Sequence, residues 1–158
     1  MANMFIDPLN NLTSYKNLLK DIENHKTPIS THGIIDEGIG HMTYALNQNT
    51  NRQILIITHN ENRARKIYED LKSFHGEKVE IFPSREMFFY KIDAISSERL
   101  NQRLRAISRL LQQEDIILVS SIEGLLFRLM EPELFKEHSI TINLDSIIDL
   151  EELGDSLV

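Results

Sequence analysis

Two runs of consecutive apolar residues, Ile54-Leu55-Ile56-Ile57 and Ile116-Ile117-Leu118-Val119, limit this chain more than any other feature. A strand with one wet face alternates apolar and polar residues, whereas a strand covered on both faces can be apolar at every position, as in a parallel sheet. Parallel strands need crossover connections, and the intervening sequence supplies them in helical form. After Asn60, a natural N-cap, Ala64, Ile67, Tyr68, Leu71 and Phe74 recur at helical spacing, and Gly76 provides a stop. Val79, Ile81 and Phe82 then read as a short strand ended by Pro83, ahead of an aromatic connection, Met87 to Tyr90. From Ser97, with Glu98 near its positive end, Leu100, Leu104, Ile107 and Leu111 form the apolar stripe of another helix.

The flanks extend the same alternation. Leu12, Tyr15, Leu19 and Ile22 follow helical spacing, Thr27-Pro28 breaks it, and Ile29 to His32 is β-prone, with a further helix over Met42 to Leu46. Beyond Val119, Ser120-Ser121 leads into a helical segment through Leu125, Leu126 and Leu129. Ile140, Ile142 and Leu144 alternate as a half-exposed strand, and the acidic stretch Asp145 to Asp155 reads as helical. The expectation is an α/β fold of three layers: a mostly parallel sheet of about five strands, flanked by helices and joined by right-handed crossovers.

Composition narrows the function. The chain has 158 residues and 41% hydrophobic content, enough for one core. It has no cysteine, so disulfides, thiolate metal sites and a cysteine nucleophile are excluded, compatibly with a reducing cytoplasm. Seventeen basic against twenty-four acidic residues give a net charge of −7, which disfavours autonomous binding to nucleic acid. No apolar run approaches the ~18 residues needed to cross a bilayer, so no membrane partner is expected.

Gly33-Ile34-Ile35-Asp36-Glu37-Gly38-Ile39-Gly40 keeps the glycine spacing of a phosphate-binding loop, G-x-x-x-x-G-K-[ST]. In that loop the glycines let backbone N–H groups curl around phosphates, the lysine neutralises charge and the hydroxyl holds magnesium. Here Ile39 fills the lysine slot and Gly40 the hydroxyl slot, while Asp36 and Glu37 interact unfavourably with a polyphosphate by roughly 1 kcal/mol each even in water. From spacing alone, a decayed nucleotide site and a chance pair of glycines in an ordinary turn both remain open.

Other candidates also carry two readings. Arg99, Arg103, Arg105 and Arg109 share one helix and form either a patch for phosphate or an acidic partner, or a solvated face. Ser120 and Ser121 follow a buried strand, where a nucleic-acid contact or a helix cap would fit; no G-x-S-x-G elbow surrounds them. The six histidines, His25, His32, His41, His59, His75 and His138, lack the i, i+4 pairing of a helical metal site, so no metal is expected.

Several stretches together resemble the N-terminal domain of bacterial transcription-repair coupling factors, itself similar to the first domain of the excinuclease component UvrB. They are the degenerate loop Gly33 to Gly40; Thr58-His59-Asn60 leading to Ala64 and Ile67-Tyr68-Glu69-Asp70-Leu71; Phe82-Pro83-Ser84-Arg85-Glu86 with Phe89-Tyr90; Ser97-Glu98-Arg99-Leu100 through Arg103-Leu104 to Leu110; Val119-Ser120-Ser121; and Asp149-Leu150-Glu151-Glu152-Leu153. UvrB has an intact loop and a long aromatic hairpin, whereas only 13 residues separate Pro83 from Ser97 here. The departures favour the coupling factor over UvrB. The resemblance implies a helicase-like, RecA-like fold over residues 1–145 with a degenerate nucleotide loop and no catalytic residues, followed at 146–158 by the first helix of the next domain, cut short.

The resemblance further implies that this fragment needs no cofactor, ATP and magnesium serving the parent, an ATP-dependent DNA translocase of the bacterial cytoplasm. Its implied partners are the parent's other domains, UvrA through the following domain, and stalled RNA polymerase and double-stranded DNA through the parent. A self-contained nucleotide-binding domain with an atypical loop is the competing reading.

Overall fold

The computed structural model describes residues 4–85 and 97–140, together with Ile142 and Gly154. The chain divides into two compact units, Met1–Arg128 and Leu129–Val158. The first contains α1 (Asp7–Asn10), α2 (Thr13–Glu23), α3 (Asp36–Thr50), β1 (Ile54–Thr58), α4 (Glu61–His75), a 3-10 turn at Gly76–Lys78, β2 (Val79–Phe82), α5 (Ser97–Leu111), β3 (Ile117–Ser121) and α6 (Ile122–Leu125). The described part of the second unit holds α7 (Pro132–Glu137), and Gly154 is also helical.

The described sheet has three parallel strands in the order β1-β3-β2, which confirms the α/β class. β3 is central and buried at every position. Its alternation assigns one face to each crossover helix. Ile117 and Val119 join Ala64, Ile67 and Leu71 of α4 and Val79 of β2 in one cluster, while Leu118 packs with Phe82 and Ala106 of α5. Neighbours on a strand point to opposite faces, so α4 and α5 cover opposite sides of the sheet. Asn60 caps α4 by accepting a hydrogen bond from the Arg63 amide at 2.8 Å, and Gly76 ends it at φ 57°, as its place in the sequence predicts.

Differences from the expected pattern have local causes. β1 is an edge strand among the described residues: Ile54 and Ile56 pack towards α4, but Leu55 and Ile57 remain more than half exposed because α5 packs over β2 and β3. The buried face of α5 is Arg103 and Ala106, and Leu100 and Leu104 of the expected stripe are exposed. Ile29 to His32 forms no strand; with one apolar residue in four it has little to bury, and it lies exposed between α2 and α3. Ile140 and Ile142 are likewise outside any strand and exposed, and α6 stops at Leu125. Met87 to Tyr90, Leu144, the 145/146 boundary and all of the acidic stretch except Gly154 lie outside the described residues.

α3 is longer than its sequence suggests. Asp36 and Glu37 occupy its first turn, where the helix dipole favours acid, and Ala45 packs with Ile6 and Tyr15 of the N-terminal segment. Its far end is tied down by Asn47, 2% exposed, whose amide donates to the Arg52 carbonyl at 3.0 Å and to Asp115 at 3.2 Å.

This division of faces predicts a contrast between two leucines. Leu71→Ala, at a fully buried position between α4 and the sheet, costs about 2–5 kcal/mol in urea unfolding. Leu55→Ala, on the open face of β1, stays within about 0.5 kcal/mol.

Candidate functional site: the glycine frame and the arginine helix

The glycine frame is divided between a bend and a helix. Gly33 sits at φ +82°, in the left-handed region that glycine adopts without strain. Ile35 is extended, and α3 begins at Asp36, so Gly38, Ile39 and Gly40 are already helical. The Gly38 amide donates to the Ile35 carbonyl at 2.9 Å, which directs it into the first turn of the helix.

Each altered position has a structural partner. Ile39, in the lysine slot, packs against the cluster containing Ala64, Ile67, Leu71 and Ile117. Gly40, in the hydroxyl slot, is buried against α4, where an added Cβ would lie 3.5 Å from Asp70 Cβ. Asp36 pairs with Arg63 at 2.8 Å and Glu37 with Lys66 at 3.6 Å, both across to α4. These bridges are exposed and worth at most about 1 kcal/mol each, so they steer the helix pair more than they stabilise it.

The four arginines of α5 face the protein's own acceptors. Arg99 donates to Glu61 at 2.5 Å. Arg105 reaches Glu80 at 2.8 Å and Glu77 at 3.0 Å; Arg109 reaches Glu80 at 2.6 Å and Glu114 at 2.6 Å. Glu80 is only 5% exposed, so its carboxylate is held between two guanidinium groups that offset its lost hydration. Arg103 is itself buried, lies 3.9 Å over the Phe82 ring, and donates to the carbonyls of Pro83 at 2.6 Å and Gly124 at 3.2 Å. Burial, and secondarily the charge of Arg85, lower its pKa. The helix thus reads as a clamp holding β2 and the β3–α6 turn.

Ser120 and Ser121 belong to that turn. Ser120 Oγ donates to the Phe82 carbonyl at 2.8 Å, and Ser121 Oγ caps α6 by accepting from the Gly124 amide at 3.3 Å. Gly124 is required by space, because a Cβ there would stand 2.6 Å from Ser120 Oγ and 2.9 Å from the Phe82 carbonyl oxygen. The histidines come together with no acidic cluster that could hold a metal among the described residues.

Sequence spacing gave no sign of Glu61 as a hub. At the start of α4 it accepts from Ser84 Oγ, from the Ser84 amide at 3.2 Å and from Arg99, joining three elements. Burial opposes ionisation of Glu61, but the Ser84 hydrogen bonds and the Arg99 charge outweigh it and hold the carboxyl below its ordinary value. Only the tertiary fold brings residues 61, 84 and 99 together.

A carboxyl depressed in the folded state adds stability that is complete above its unfolded pKa and is lost as pH falls through the folded pKa. Glu61→Gln is therefore expected to cost about 1.5–3 kcal/mol at neutral pH. The gap between variant and wild type should close below about pH 4.3 in urea titrations run across pH.

No protein-family model matches the chain. Among individual proteins, it is 32% identical over 117 residues to the transcription-repair-coupling factor of Bacillus subtilis (strain 168), covering 73% of this chain and 10% of that protein. It is 26% identical over 163 aligned positions to the UvrABC system protein B of Methanococcus maripaludis, covering 93% of this chain and 25% of that protein. To the UvrABC system protein B of Borreliella afzelii it is 27% identical over 125 residues, covering 70% of this chain and 19% of that protein. The chain therefore spans a quarter or less of the length of these relatives. Its homologues are UvrB and the transcription-repair-coupling factor, at 26–32% identity over most of the chain, consistent with a UvrB-like N-terminal domain of the coupling factor.

Proposed function

We propose that the chain is a non-catalytic structural and interaction module of a transcription-repair-coupling factor, the N-terminal part of a larger ATP-dependent DNA translocase. The observation that carries this reading is the fate of the two working positions of the loop. Ile39, half-buried, packs against the cluster beside α4 and Gly40 is buried next to Asp70, while carboxylates occupy the helix's positive end. A polyphosphate there lacks the loop's own lysine and its hydroxyl for magnesium, and meets two carboxylates that Arg63 and Lys66 already engage. Converting Ile39 to lysine restores the charge but not the hydroxyl that Gly40 lacks, so one substitution does not rebuild the site.

In this reading ATP and magnesium act elsewhere in the parent, which displaces stalled RNA polymerase from double-stranded DNA and recruits nucleotide excision repair. UvrA is engaged through the domain that follows, and the whole works in the bacterial cytoplasm. No described helix is long and apolar enough to cross a membrane. The likeness to a transcription-repair-coupling factor at 32% identity supports the assignment.

Calorimetric titration of the purified chain with ATP and magnesium, beside a phosphate-release assay, tests it. The expected outcome is no saturable heat and no turnover. Micromolar binding, or turnover abolished by substituting Gly38, would establish the competing reading of a self-contained nucleotide-binding domain.

A further inference from the structure

His75, in the last turn of α4, lies against Tyr44 of α3 with ring centroids 4.6 Å apart. Its Nε2 is buried, and no hydrogen-bond partner reaches it among the described residues. A neutral imidazole tolerates this, because the tautomer with its proton on Nδ1 leaves only a lone pair at Nε2. An imidazolium does not: both nitrogens then carry a proton, and the Nε2–H is buried without an acceptor.

The groups facing the ring divide over its charged form. Tyr44 comes from α3, Lys78 from the 3-10 turn and Asp115 from the segment leading into β3. Lys78 opposes a second cation, while Asp115 and the carbonyl end of α4 favour one. Asp115, however, is already engaged by Lys78 Nζ at 2.8 Å and by the Asn47 amide at 3.2 Å. Burial first, and the Lys78 charge second, hold the pKa of His75 below its ordinary value despite Asp115.

The contact between His75 and Tyr44 is one end of an aromatic cluster that joins three elements. Tyr44 also meets Phe74 of α4 at 5.8 Å, and Phe74 meets Phe5 of the N-terminal segment at 5.9 Å. His41 of α3 stacks on Phe74 as well, but its Nε2 faces the Phe5 carbonyl, an acceptor that suits a protonated ring. Within the cluster, His75 is the member whose seat a proton spoils. We infer that His75 is a proton-operated latch: neutral, it holds the end of α4 against Tyr44; protonated, it turns Nε2 out to water and loosens α3 and the N-terminal segment from α4. As the pH falls, the unfolded chain takes up this proton before the folded one does. The stability that the latch carries is therefore complete above about pH 6.5 and is lost as the pH drops from there through the lower folded value.

Proton NMR of the whole chain reads the latch directly. The His75 ring should titrate below about pH 6.5, and its nuclear Overhauser contacts with the Tyr44 ring should fade over the same interval. Lys78→Gln, which removes the neighbouring cation and frees Asp115, should move that titration upward. Urea unfolding between about pH 7.5 and about pH 5 supplies the second readout. Over that range the unfolding constant of the wild type should rise by about threefold or more relative to that of His75→Phe, whose ring keeps the contact and takes no proton. His41→Gln should follow the wild-type pH dependence. A His75 midpoint at or above its ordinary value, Tyr44 contacts that persist once the ring is charged, or a loss of stability with falling pH as steep in His75→Phe as in wild type would each overturn the inference. Should His75→Phe fail to fold, the titration of the wild type and of Lys78→Gln decides alone.

Discussion

The first unit depends on the two-sided burial of β3. Ile117, Leu118 and Val119 face opposite ways in turn, and each side chain completes a cluster whose other members come from a different crossover helix. Fully burying such side chains contributes about 1.5–3 kcal/mol apiece, and the sum holds α4 and α5 to the sheet. Both candidate sites hang on that placement. α4 offers Asp70 and Leu71 as the surface against which α3 lies, and α5 directs its arginines onto β2 and the β3–α6 turn.

The same dependence places the Gly33–Gly40 segment. In a working phosphate loop the backbone N–H groups converge on the ligand. Here α3 starts before the second glycine and lies on α4, so Ile39, half-buried, packs against the core cluster. On the arginine helix, Glu77, Glu80 and Glu114 engage the guanidinium groups of Arg105 and Arg109 within the fold.

Much of this was legible in residue order. Consecutive apolar residues marked β1 and β3, Asn60 and Gly76 marked the ends of α4, and Ser121 was readable as a helix cap. What stayed illegible was which face of an element would be covered. Leu55 and Leu100 look like core by spacing yet are exposed, because burial depends on which strand is at the edge and where α5 crosses. Arg103 looks like surface yet is buried, because the Phe82 ring and two carbonyls happen to meet it. Glu61 could not be singled out at all, since its partners lie 23 and 38 residues away.

Gly38 and Gly40 serve as ordinary helical residues of α3. Neither has a positive φ, and a Cβ at either would meet its nearest neighbours at 3.5 Å, an ordinary contact. The most direct measurement is the unfolding free energy of Gly38→Ala/Gly40→Ala. Replacing helical glycine by alanine is worth about 1 kcal/mol per site, so the double variant should be more stable than wild type by roughly 1–2 kcal/mol. A loss of stability on either substitution would contradict the helical packing described for this segment.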